Sequence, residues 1–165
     1  MKETIEIFSE LGRRLRGFGT DVAQQRVIER ACAANGWFTP RDIRRAVEAI
    51  SSQMLDPERF RCWLAAYEGI PVAEPRRVLV VMAGNIPLVG FFDLLCVVAS
   101  GHRCLVKPAA KDRELMEYIC GLLREIEPAV TIEEYDGRVA VDGVIATGSD
   151  NANRYFRSRY GGIPA

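Results

Sequence analysis

The sequence predicts an α/β protein, with a helical N-terminal segment over residues 1–70 and a mainly parallel βαβ sheet over residues 71–165. Three observations carry that prediction. Apolar residues recur three and four apart through the first seventy positions with charged residues between them, as on amphipathic helices. Composition then changes at Pro71–Pro75, and the run Val78-Leu79-Val80-Val81-Met82 is short, apolar and β-branched, as a strand buried on both faces requires. Beyond it, strand-length and helix-length runs alternate, which implies right-handed crossovers between parallel strands.

Phe8, Leu11, Leu15 and Phe18 form the first helical stripe. The second helix opens near Thr20-Asp21, runs through Val27 and Ala31, and meets a stop at Asn35-Gly36, where a left-handed residue costs little. Ile43, Val47, Ile50 and Met54 form a third stripe, capped by Thr39 with Pro40 in its first turn. Asp56-Pro57 repeats that arrangement ahead of Phe60, Trp63, Leu64 and Tyr67, and Gly69 is expected to end the fourth helix. After the first strand, Leu88–Ser100 has helix length and Arg103–Lys107 reads as a second strand. Lys111–Arg124 reads as a helix with Leu115, Ile119 and Leu122 inward. A weaker strand is expected near Thr131–Tyr135, another at Val141–Ala146, and a last helix over Asn151–Tyr160.

Composition excludes several function classes. Lys and Arg number 22 and Asp and Glu 22, so no long-range field gathers nucleic acid or anionic lipid, and no nucleic-acid partner is expected. The longest apolar run, Ile86–Ala99, is short of a membrane span and contains Asp93, so none is expected. With 48% hydrophobic and 27% charged residues the chain is globular in character. The five cysteines are odd in number, without a C-x-x-C pair, and His102 is the only histidine. Neither a metal site nor a disulfide framework follows, and a reduced, cytoplasmic protein is expected.

In parallel sheets ligands sit where strands end, and three segments hold such positions. In Ala83-Gly84-Asn85-Ile86-Pro87, glycine permits a tight turn and the Asn85 amide offers a donor suited to a developing oxyanion. A turn whose asparagine satisfies nearby backbone is the plainer alternative. Lys107-Pro108 puts a cation at the end of the second strand, able to meet ribose hydroxyls or phosphate, or simply solvated. Thr147-Gly148-Ser149-Asp150 opens a helix, whose free N–H groups and dipole suit a pyrophosphate, although capping by Ser149 or Asp150 needs no ligand. The G-x-G-x-x-G fingerprint is absent, so any dinucleotide is held in another way.

Taken together, the stretches Gly84–Leu95, Ser100–Lys107 and Ile145–Asn151 resemble, in order and spacing, the cofactor domain of aldehyde dehydrogenases. They are most similar to the long-chain acyl-CoA reductase family of bacterial luminescence systems. The resemblance is carried by residues 76–165 and implies a partial Rossmann-like nucleotide-cofactor domain over residues 71–165. It further implies an NAD(P)H-dependent reduction of acyl-CoA to aldehyde through a cysteine thioester. Asn85 matches the asparagine that stabilises the oxyanion on the acyl carbon, and Lys107, with Pro108 beside it, the lysine at the adenosine ribose. Gly148 and Ser149, following Thr147, match the Gly-Ser beside the pyrophosphate. Ala110 stands where many NAD-preferring relatives carry an acid, which favours NADPH, with NADH as the other option.

The family's catalytic cysteine and catalytic domain are expected downstream of Ala165, so the fragment alone is expected to be inactive and to self-associate through apolar surface. Cys32, Cys62, Cys96, Cys104 and Cys120 lie in helix or strand patterns among apolar residues, as structural thiols do. His102 reads as a turn or surface residue, and Arg13, Arg14 and Arg16 as a solvated helix face. A natural short protein that keeps the fold as a non-catalytic nucleotide-binding or interaction module is the rival reading.

Overall fold

The computed structural model describes residues 3–164, apart from the side chains of residues 150 and 152. Four helices come first: α1 (Thr4–Leu15), α2 (Val22–Ala34), α3 (Pro40–Ala49) and α4 (Pro57–Leu64). Side-chain caps start three of them. The Asp21 carboxylate accepts from the Gln24 N–H, the Thr39 hydroxyl from Asp42 and the Asp56 carboxylate from Arg59, with Pro40 and Pro57 in the first turns. Then follow β1 (Arg77–Val81), α5 (Phe91–Ala99), β2 (Arg103–Lys107), α6 (Arg113–Ile126), β3 (Ile132–Glu134), β4 (Gly143–Ala146) and α7 (Asp150–Arg159).

All four strands are parallel, in the order β3-β2-β1-β4. Strand residues alternate between two cores because successive side chains leave opposite faces of a strand. Val80, Cys104, Val106 and Ile132 face α5 and α6, with α1–α4 packed behind. Leu79, Val81, Leu105 and Val144 face the other way, where Phe156 of α7 and Tyr160 just beyond it cover them together with Val139 and Val141. The first core runs unbroken from the helical segment into the sheet, so the change of structure near residue 70 does not divide the apolar interior. With α5 and α6 on one face and α7 on the other, the winding reverses between β1 and β4, the place where open α/β sheets leave a crevice.

Several elements differ from expectation, each for a local reason. The second helix stops at Ala34 without a left-handed residue: Asn35 is extended, at φ −138°, and its buried side chain is committed elsewhere. The fourth ends at Leu64, and Gly69, left-handed at φ +77°, lies beyond it in the connection. The third stripe breaks at Met54 because α3 runs into a π-helical turn, Ile50–Met54, that rotates Leu55 into the core and leaves Met54 outside. Helix α5 begins at Phe91 rather than Leu88, since Leu88 takes a left-handed conformation at φ +59°. A 3₁₀ turn, Ala110–Asp112, precedes α6, on which Leu123, Met116 and Cys120 are buried while Leu122 is half-exposed. Cys62 is exposed on α4, so it is not enclosed among apolar neighbours as its pattern suggested. No described helix is long and apolar enough to cross a membrane.

Candidate functional site

The register sets the site. Val81 pairs with Lys107 on one side and Ala146 on the other, so β1, β2 and β4 end level with one another. Two more bonds extend the ladders past the strand ends: the Met82 N–H donates to the Lys107 carbonyl and the Thr147 N–H to the Val81 carbonyl, each at 3.0 Å. All three sequence-predicted segments therefore leave the sheet along its carboxyl edge.

The side chains on that edge point to two places. Lys107 leans over α7, its ammonium 5.7 Å from the centroid of the Phe156 ring. Asn85 and Ile86 are exposed and, with half-buried Pro87, face Trp37, Asp42 and Arg45 across an open cleft of about 450 Å³ on the helical side. The structure thus gathers Lys107 and α7 on one face and turns Asn85 to the other. Gly148 and Ser149 are exposed where α7 opens; Pro108 is buried. Any capping by the Asp150 side chain lies outside the described residues. The Thr147 hydroxyl donates to the Asp93 carboxylate at 2.8 Å, tying the end of β4 to the first turn of α5 across the switch point.

The loop carrying Asn85 is held by two buried side chains from distant parts of the chain. Asn35 donates its amide to the Gly84 carbonyl at 2.8 Å and accepts from the Trp37 N–H at 3.1 Å, so both ends of the amide are used. The Asp112 carboxylate, 1% exposed, accepts from the Leu88 N–H at 2.8 Å. Its other oxygen is buried without a partner. Burial pushes Asp112 up to about 7, opposed in part by the Leu88 hydrogen bond. Gly84 serves by close approach rather than by a left-handed turn: a Cβ there would stand 2.7 Å from the Ala109 Cβ.

Asn35, Asp93, Asp112 and Phe156 are not among the site residues expected from the sequence, where Asn35 figures only as a helix stop and Asp93 only as a charge within an apolar run. Asp112 had one visible signal, an acid at the start of an amphipathic stretch, but that pattern ordinarily means a helix cap. The others depend on contacts between segments far apart in the chain, which no local pattern carries.

The remaining candidates are engaged in the scaffold. The His102 Nδ1 accepts from the Arg76 N–H at 3.1 Å, and Arg13 and Arg14 pair with Glu10, whose carboxyl they hold down at about 2. Cys104 and Cys120 are buried, and burial raises both thiols, Cys120 to about 11. Among the described residues no three His, Cys, Asp or Glu side chains gather closely enough to hold a metal. No protein-family model, curated protein or solved structure matches this chain.

Proposed function

We propose that this chain supplies the nucleotide-cofactor part of an NAD(P)H-dependent acyl-CoA reductase, with a sheet of the aldehyde dehydrogenase cofactor-domain type. The observation that supports this best is the level ending of β1, β2 and β4, which sets Asn85, Lys107 and the Gly148-Ser149 opening of α7 along one edge. The donor set fits an anionic dinucleotide. Lys107 has no carboxylate partner among the described residues, and the opening of α7 presents N–H groups and a positive dipole end.

In this reading Lys107 would leave the Phe156 ring to meet the ribose, with Pro108 fixing the backbone behind it. Gly148 and Ser149 would hold the pyrophosphate. Thr147, whose hydroxyl is given to Asp93, anchors the segment instead of the ligand. Ala110 is exposed and carries no charge to repel a 2′-phosphate, which favours NADPH over NADH. Held by Lys107, Gly148 and Ser149, such a dinucleotide would supply the hydride for reduction of the acyl carbon. The Asn85 amide donates to the oxygen of that carbon as charge develops on it.

The thioester step needs a thiolate, and none of the five cysteines offers one suited to it. Burial holds Cys32, Cys96, Cys104 and Cys120 in the thiol form, and Cys62 stands on the outer side of α4. Cofactor binding without turnover is therefore the behaviour proposed for the chain by itself.

Calorimetric titration with NADPH and NADH tests the reading. Lys107→Ala and a helix-opening variant, Gly148→Pro, should each weaken NADPH about tenfold, the loss of one charge-assisted contact. Equal affinity in both variants and the parent contradicts it.

A further inference from the structure

The loop from Ala83 to Gly90 carries Asn85 but contains no ionisable side chain, and it is exposed at Asn85 and Ile86 while both of its flanks are held from inside. The inner grip near Leu88 is unusual. Leu88 is 3% exposed and left-handed at φ +59°, a conformation that costs a non-glycine residue on the order of 1–2 kcal/mol and persists only where its surroundings impose it. In that conformation the Leu88 N–H donates to the Asp112 carboxylate at 2.8 Å, whose second oxygen is buried and unpartnered. An acceptor placed in that way holds its partner differently with and without its proton. The carboxylate makes a strong, charge-assisted bond but is poorly solvated; the acid is comfortable in the interior but accepts more weakly.

We propose that Asp112 is a positioning residue for Asn85, holding the Asn85 loop through Leu88 with a grip that changes when its buried carboxyl gains or loses a proton. This inference deepens the acyl-CoA reductase reading, on which Asn85's role as oxyanion donor rests; the mechanical link itself rests only on the hydrogen bond and the loop. No neighbouring charge competes for control of Asp112. The loop it grips has none, and Lys111 of its own turn lies over the Trp37 ring, 5.2 Å from the centroid. The packed helix α2 brings Arg30, which is bound to Glu114 of α6. Helix α6 opens with Arg113, engaged by Glu117 and Glu134. Burial and the Leu88 amide are thus the two influences on its proton, and they put its titration near neutral pH.

The link makes Asn85 report on a carboxyl that it does not touch. The test follows the backbone amides of Leu88 and Asn85 by ¹⁵N-resolved NMR from about pH 5 to 9. Both should titrate with one common midpoint near 7. In Asp112→Asn, where a neutral amide oxygen keeps the bond to Leu88, both signals should stay fixed across the range. In Asp112→Ala the loop amides should exchange with solvent at least about tenfold faster at every pH, the loss of one buried hydrogen bond. An Asn85 amide that stays fixed while Leu88 titrates would overturn the positioning role, and so would a common titration that survives in Asp112→Asn. Neither result depends on cofactor binding, so NADPH affinity unchanged in Lys107→Ala and Gly148→Pro would defeat the reductase reading and leave this link standing.

Discussion

The Lys107 ammonium rests over the Phe156 ring at 5.7 Å, joining the end of β2 to the middle of α7. A lysine so placed is exposed but has its ammonium over the ring. Any ribose or phosphate that it binds must compete with the ring. An exposed cation–π contact is worth about 0.5–1 kcal/mol. Phe156→Leu, which keeps α7 seated on Leu79 and Val81 but removes the π face, should therefore tighten NADPH by about two- to fivefold. Calorimetry comparing the variant with the parent reads this directly; weaker binding in the variant would mean that the ring helps to form the site.

Asp112 sets a pH dependence whose sign follows from the direction of its shift. Its carboxyl rises from 3.8 to about 7 on folding, so between those values the native chain keeps a proton that the unfolded chain has lost. The stability it contributes is full below about pH 4, declines as pH rises to 7 and is flat beyond. Each pKa unit corresponds to about 1.4 kcal/mol, so the decline is on the order of a few kcal/mol. Denaturant melts should show the Asp112→Asn variant gaining on the parent as pH rises from 5 to 8, by about 3 kcal/mol at roughly 1.4 kcal/mol per unit up to pH 7. Comparing the two removes the contrary contribution of carboxylates held low, such as Glu10.

Asn35→Ala should cost about 1–3 kcal/mol, because the Gly84 carbonyl and the Trp37 N–H both lose their partner at a buried position. Asn35→Asp should rescue only the Trp37 bond, since a carboxylate cannot donate to Gly84. Urea denaturation of the three proteins gives the ranking parent, then Asp, then Ala; an Ala variant as stable as the parent would contradict the assignment.

Thiol labelling should divide the cysteines by burial. Cys62 is exposed and should react first in the native protein, whereas Cys104 and Cys120, buried with raised thiols, should react only as the fold opens. Cys62→Ser should remove the fast phase. Mass spectrometry of the labelled peptides checks the order.

Local chemistry made most of the scaffold legible. Caps at Asp21, Thr39 and Asp56 and the apolar run at β1 declare themselves within a few residues, and the parallel sheet follows from the alternation they begin. The misses lie where tertiary contacts override local pattern. Met54 fits a helical stripe, yet one π-helical turn gives its place to Leu55. Leu88 fits the run that follows it, yet a carboxylate twenty-four residues away holds it outside the helix. Strand-end positions of Asn85, Lys107 and Ser149 could be read from topology alone. Their side-chain directions could not, because these depend on Phe156 and on the anchors at Asn35 and Asp112.

Amide shift mapping of the ¹⁵N-labelled chain during addition of NADPH tests the shared carboxyl edge most directly. The strongest changes should fall at Lys107, Gly148, Ser149 and the first turn of α7, with α1 and α4 undisturbed. Saturable changes confined to the helical segment, with that edge silent, would contradict the account.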